Sequence, residues 1–334
     1  FIWMYLSMKK AIASIHYAIS KSQYSHRGSW PRIWGKLTNS TIIGANDDWK
    51  DYDMILLYHG MEWSGALNMF GGAKDPSPFQ KFLDAKNGFM SLDIPCPDFG
   101  ALGKARCSSG SKEWNDFDWN ALTEKCRNMP VVRMYKLGLQ SLIVGDSHAN
   151  SVWMPDTMVD RNDAKTLHGA LQYRLVNYVR PYIAHLHDGK SNLKHITFYF
   201  GNIDIRHHIL RRRMPTRTLH VLLREYEKQI QEVVAEFKIP SIEVVCPLPI
   251  ENVSRRIPKT GWYKNTPYYG SQEERQHLVD HMTQQIERFT HKHGWKCYKH
   301  PKTFLNDQKE LSFDVMEKPQ SVHIAPKFYR GPLC

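Results

Sequence analysis

SLIVGDSHANSVW, residues Ser141 to Trp153, changes character at one glycine. Ser141 to Val144 is short, apolar and β-branched enough to read as a buried strand. Gly145 ends it, Asp146 and Ser147 follow, and a helical turn can begin just beyond. A serine on a sharp turn between strand and helix carries its hydroxyl at the carboxyl edge of a sheet. There it can meet a base and the positive end of a helix. The plainer alternative is that Asp146 and Ser147 only cap the following turn.

The same alternation continues to the C-terminus. Thr166 to Gly169 reads as a short strand, and Ala170 to Leu186 as a helix that Pro181 should kink. His195 to Phe200 is the next apolar run. Thr218 to Lys238 has Leu219, Leu222, Leu223, Tyr226, Ile230, Val233, Val234 and Phe237 on one helical face. Ile242 to Cys246 reads as a strand. Ser271 with Glu274 forms a capping box for a helix ending at Gly294, and Trp295 to Tyr298 reads as a last strand. Strands that are apolar throughout and alternate with long helices predict a mostly parallel sheet covered on both faces, a three-layer αβα fold over residues 138–334. Residues 1–137 read as a smaller α/β domain of unassigned role. There Met4 to Ser20 is expected as a helix, Asp53 to His59 and Gly88 to Ile94 as strands, and Trp119 to Arg127 as a short helix.

In open α/β sheets, sites lie beyond the carboxyl ends of strands. Three such places hold chemistry: Gly145-Asp146-Ser147-His148, then Gly201-Asn202-Ile203-Asp204, and His323 within SVHIAP. These blocks, in this order, resemble the SGNH/GDSL hydrolase superfamily over residues 141 to about 328. The resemblance implies Ser147 as nucleophile, His323 as general base, and Asn202 with the backbone N–H of Gly169 as oxyanion donors. Two details differ from the family pattern. The third block is G-N-I-D rather than G-x-N-D, and Gln320 stands where the family has the aspartate that orients the histidine. Glu317, Asp314 or a backbone carbonyl is left for that task. The implied reaction is acyl transfer, to water as an esterase or deacylase or to another acceptor as an O-acyltransferase. Asp146, His148, Asp204, Arg206 and His208 are the expected substrate-binding residues.

Composition bounds the partners. The 334 residues are 42% hydrophobic, with 45 Lys and Arg against 33 Asp and Glu, a formal net charge of +12. An excess of that size suits an anionic partner, a small polar or glycan substrate or nucleic acid, as well as plain solubility. Arg211, Arg212, Arg213 and Arg217 gather the charge, with Trp262, Tyr263, Tyr268 and Tyr269 following. A nucleic-acid-associated, phage-like factor that uses the same core as a scaffold or to modify DNA is therefore the alternative class. The six cysteines form no C-x-x-C pair, which fits reduced thiols and a cytoplasmic address, or the host cytoplasm for a phage protein. No apolar run approaches the roughly 20 residues of a membrane span. Glu274-x-x-His277 reads as a surface helix, and His291, His293, Cys297 and His300 lack a second ligand pair. Gly71-Gly72 has no accompanying lysine or G-x-G-x-x-G. Neither metal nor cofactor is expected.

Overall fold

The structure is a computed structural model and describes residues 10–13, 32–33, 35–36, 39–43, 54–57, 89–92, 131–132, 140–162, 165–183, 192–251, 268–317 and 322–331. The chain divides into two compact units after residue 138.

In the first unit, β1 (Lys10–Ala13), β2 (Thr41–Ile43), β3 (Met54–Leu57), β4 (Phe89–Leu92) and β5 (Val131–Val132) form one sheet in the order β2-β1-β3-β4-β5. Every pairing is parallel. The helix expected over Met4 to Ser20 is corrected here, because Lys10–Ala13 is a strand with a partner on each side. Ile12, Ile15 and Ile19 have helical spacing, but a short apolar run suits a buried parallel strand equally well. The strands expected around Asp53 and Gly88 are β3 and β4. The Trp119 to Arg127 helix and the Gly71-Gly72 turn lie outside the described residues.

The second unit holds β6 (Ser141–Gly145), β7 (Thr157–Arg161), β8 (His195–Tyr199), β9 (Ser241–Val245) and β10 (Lys296–Tyr298), all parallel, in the order β10-β9-β8-β6-β7. Four consecutive residues are buried in each of β6, β8 and β9. Successive side chains point to opposite faces, so both faces of the sheet are covered, as a three-layer α/β fold requires. The chain leaves β6 toward β7 on one side and later returns to β8 on the other. The crevice at this reversal opens at the carboxyl ends of β6 and β8.

The helices are α1 (Leu167–Tyr173), α2 (Leu175–Val179), α3 (Pro215–Phe237) and α4 (Gln272–His293). Helix α3 starts on Pro215, whose missing N–H costs nothing at that position, and ends at Lys238 in the left-handed region. Its predicted stripe is buried from Leu219 to Phe237 except for the half-buried Val234, and each buried side chain contributes about 1.5–3 kcal/mol. Helix α4 has the predicted capping box, with the Ser271 hydroxyl accepting from the Glu274 N–H, and stops at Gly294.

Two expectations differ. Thr166 to Gly169 is not a strand; Thr166 caps α1 and its hydroxyl accepts from the Gly169 N–H. The single helix over Ala170 to Leu186 is broken at Arg174, which has φ +70°. The buried Gln229 of α3 makes the break possible. Its amide nitrogen donates to the Leu171 carbonyl at 3.0 Å and its carbonyl oxygen accepts from the Leu175 N–H at 3.0 Å. One carboxamide thus satisfies the Leu175 N–H and adds a second donor to the Leu171 carbonyl, which also accepts from the Arg174 N–H at 3.1 Å.

Candidate active site at the ends of β6 and β8

Gly145 lets the Asp146-Ser147 turn lie flat on the neighbouring strand. A Cβ there would stand 2.5 Å from the Tyr199 carbonyl, and the same carbonyl accepts from the Asp146 N–H at 2.9 Å. Ser147 follows as a half-buried residue between buried neighbours. Its hydroxyl lies 3.0 Å from His323 Nε2, a contact between residues 176 apart in the chain. On the other ring nitrogen, His323 Nδ1 stands 3.5 Å from Glu317 Oε1. The Glu317 N–H also donates to the His323 carbonyl at 2.9 Å, so backbone as well as side chain joins the two. Of the three expected partners for His323, Glu317 is buried while Asp314 is exposed. Burial pushes the His323 imidazole below its ordinary range, against the upward pull of Glu317. It is therefore a neutral, proton-accepting ring near neutral pH. The Ser147 N–H has no hydrogen-bond partner among the described residues.

Asp146 and His148, expected to bind substrate, are buried against each other instead. Asp146 is 0% exposed and His148 4%. Asp146 Oδ1 accepts from the His148 N–H at 2.9 Å and meets His148 Nδ1 at 2.9 Å. His148 Nε2 lies 3.1 Å from the Val322 carbonyl, one residue before His323. Neither acceptor carries a hydrogen, so the two ring contacts are hydrogen bonds together only when both nitrogens donate. Burial alone would raise the Asp146 carboxyl; the His148 ring and N–H, with Asn202, outweigh it and hold it below the usual range. Asp146 and His148 thus clamp the segment that carries His323 to the serine turn.

Asn202 is wholly buried and joins three segments. Its Nδ2 donates to Asp146 Oδ2 at 3.3 Å, and its carbonyl oxygen accepts from the Leu248 N–H at 2.9 Å. Asp146 uses one of the two hydrogens on Nδ2, and the Tyr199 hydroxyl also takes a hydrogen bond from this side chain. Gly201, with φ +110°, permits this turn; a Cβ there would lie 2.3 Å from the Met282 methyl carbon. The Gly169 N–H, expected at the oxyanion, is already held by Thr166 Oγ1 at 2.9 Å. Reading Thr166 to Gly169 as a strand hid that cap.

Asp204 and Arg206 also turn inward. The Asp204 carboxylate accepts from the N–H groups of Leu167 at 2.6 Å and His168 at 3.2 Å, closing the first turn of α1. Burial raises it to about 6, beyond what those two bonds recover. Arg206 Nε bonds Glu251 Oε2 at 2.9 Å, with both side chains at 2% exposure or less. Its remaining nitrogens donate to the carbonyls of Asn202 and Pro249. Both residues are expected at the substrate and are instead structural. Their partners, 36 to 45 residues away in sequence, satisfy their charge in the interior. Nothing in the local sequence marks Glu251 as that partner.

Among the five expected substrate-binding residues, His208 alone keeps an accessible face. Burial, then Arg211 and Arg212, lower its imidazole below the ordinary range. Arg211, Arg212, Arg213 and Arg217 are exposed, and the Arg211 guanidinium lies 4.8 Å over the Tyr269 ring. Trp262 and Tyr263 lie outside the described residues. No group of three or more His, Cys, Asp or Glu among the described residues converges as a metal site. None of the described helices is long and apolar enough to cross a membrane.

No family model and no curated protein matches this chain. Among solved structures it is similar to a GDSL-like lipase from Bacteroides thetaiotaomicron VPI-5482, at 11% identity over 57% of this chain and 82% of that one, with TM-score 0.39. It is also similar to the lipase/acylhydrolase from Enterococcus faecalis, at 13% identity over 56% of this chain and 87% of that one, with TM-score 0.36. Similarities this distant add nothing to the chemistry of the site, which rests on the Ser147, His323 and Glu317 geometry.

Proposed function

We propose that the second unit is a serine-dependent acyl-transfer enzyme acting on a polar or anionic ester, as an esterase, a deacylase or an O-acyltransferase. The observation that carries this reading is the 3.0 Å contact between Ser147 Oγ and His323 Nε2. It pairs a nucleophile with a base at the switch point of a parallel sheet. Ser147 Oγ attacks the acyl carbonyl carbon while His323 Nε2 takes its proton. Glu317 steadies the imidazolium that forms. The Ser147 N–H is the proposed donor to the oxyanion, joined by Asn202 Nδ2 once that group leaves the Tyr199 hydroxyl, and donors of this kind are worth about 3 kcal/mol each. His323 then protonates the leaving alkoxide. It next deprotonates water or another acceptor, which releases the acyl group from Ser147. His208 and the exposed arginines after it supply a cationic rim suited to a carboxylate or phosphate on the substrate. A nucleic-acid role for the same arginines rests on charge alone.

Short p-nitrophenyl esters test this directly. Ser147→Ala should lower kcat/KM by roughly 10⁴-fold or more; equal turnover by both proteins removes Ser147 from the chemistry. The base works deprotonated, and burial lowers its pKa. The rising limb of kcat/KM against pH should therefore lie below the ordinary histidine value of about 6.5.

A further inference from the structure

Away from this site, two thiols face each other across the last two strands of the second sheet. Cys246 follows β9 directly and Cys297 lies in β10, and their sulfur atoms are 3.4 Å apart. The backbone holds them in place, since the Cys246 N–H donates to the Tyr298 carbonyl at 2.9 Å and Cys297 pairs with Val244 in the parallel ladder. Both are free thiols, Cys246 buried and Cys297 half-buried on the edge strand.

We infer that Cys246 and Cys297 form a thiol–disulfide site that staples the edge strand β10 to β9 when an oxidant such as glutathione disulfide is present. A disulfide needs the sulfurs at about 2.05 Å, so the two, now 3.4 Å apart, must close by roughly 1.4 Å. The two thiols are chemically unequal, which gives the reaction an order. The hydrogen bond from Cys246, with Lys299 close by, holds the Cys297 thiol below its ordinary range. The Cys246 thiol is pushed up by the same contact and by burial. The Cys297 thiolate, reachable at the edge, attacks one sulfur of glutathione disulfide and expels a glutathione thiolate. Cys246 then loses its proton and attacks the Cys297 sulfur, expelling the second glutathione. One disulfide is consumed, one is formed, and two glutathione thiols are released. No third His, Cys, Asp or Glu converges on the pair as a metal ligand among the described residues.

The staple would close the 51-residue span between the two cysteines, across the shortest strand of the second sheet. It lies two residues before Leu248, whose N–H holds Asn202. The inference is independent of the acyl-transfer reading, since a chain with an unreactive Ser147 would still form the bond.

The test uses the full chain, exposed to glutathione disulfide under native conditions and then unfolded in iodoacetamide and digested with trypsin. The expected product joins peptide 239–255 to peptide 297–299 and is two hydrogens lighter than the pair. Cys297→Ser should abolish it, which separates this bond from pairings among Cys96, Cys107, Cys126 and Cys334. The unfolding midpoint should rise on the order of 5 °C on oxidation, fall back with dithiothreitol, and stay unchanged in Cys297→Ser. Alkylation of both thiols, Cys297 recovered as a stable glutathione mixed disulfide, or an unchanged midpoint in the oxidised wild type overturns the inference.

Discussion

Strands β1 and β6 hold the same place in two sheets of the same order. The first sheet runs β2-β1-β3-β4-β5 and the second β7-β6-β8-β9-β10, all parallel, so each unit reverses direction beside its first strand. The residues just past the strand ends differ. After β6 and β8 the chain reads Asp146-Ser147-His148 and Phe200-Gly201-Asn202. After β1 and β3 it reads Ser14-Ile15-His16 and Tyr58-His59-Gly60. A topology places a switch point, but only residues at the strand ends make it reactive. In the second unit those residues also act as a joint. Asp146, His148 and Asn202 tie together the serine turn, the His323 segment and the chain after β9.

The largest expected effect tests that contrast. His323→Ala should cost about 10⁴-fold in kcat/KM on ester substrates, whereas Ser14→Ala, at the matching strand end of the first unit, should leave turnover unchanged. A comparable loss from Ser14→Ala would break the comparison. Next is the interior that supports the second site. Glu251→Gln leaves the Arg206 guanidinium buried without its carboxylate and should destabilise by about 3–5 kcal/mol in denaturant titrations. A loss below about 1 kcal/mol would mean that Arg206 finds other partners or water.

Asp204 gives an effect with a defined pH window. Its folded carboxyl sits at about 6, against an ordinary value of 3.8. The folded state therefore holds this proton more tightly than the unfolded chain. The contribution of Asp204 to stability is greatest below about pH 4 and is lost as the pH rises through 6, by on the order of 3 kcal/mol. Asp204→Asn should flatten that part of the stability curve, and an unchanged slope would assign it to another group. The smallest effect belongs to Glu317. At 3.5 Å from the ring, its conversion to Gln should lower kcat by about 10²-fold with KM little altered. A change confined to KM would move Glu317 from the base to the substrate.

The two units also differ in how much of each a local pattern can carry. Strand β6 and its glycine were legible because an apolar run and its terminator are adjacent in sequence. Helices α3 and α4 were legible because their stripes and caps repeat within a few residues. The strand at Lys10–Ala13 was hidden, since its pairing with β2 and β3 is long-range. The break at Arg174 was hidden because Gln229, which repairs it, lies 54 and 58 residues from the groups it satisfies. The same distance problem reversed the roles of the charged residues. Asp204 and Arg206 look available in sequence, and only the fold brings α1 and Glu251 to them. Glu317 stood among three alternatives until burial separated it from Asp314.

The most direct measurement is the site of labelling by a fluorophosphonate probe on the native full chain. One adduct, on Ser147, that disappears in Ser147→Ala and weakens sharply in His323→Ala is the predicted result. A native chain that takes up no probe, or carries it on a serine of the first unit, would contradict the assignment of acyl chemistry to the ends of β6 and β8.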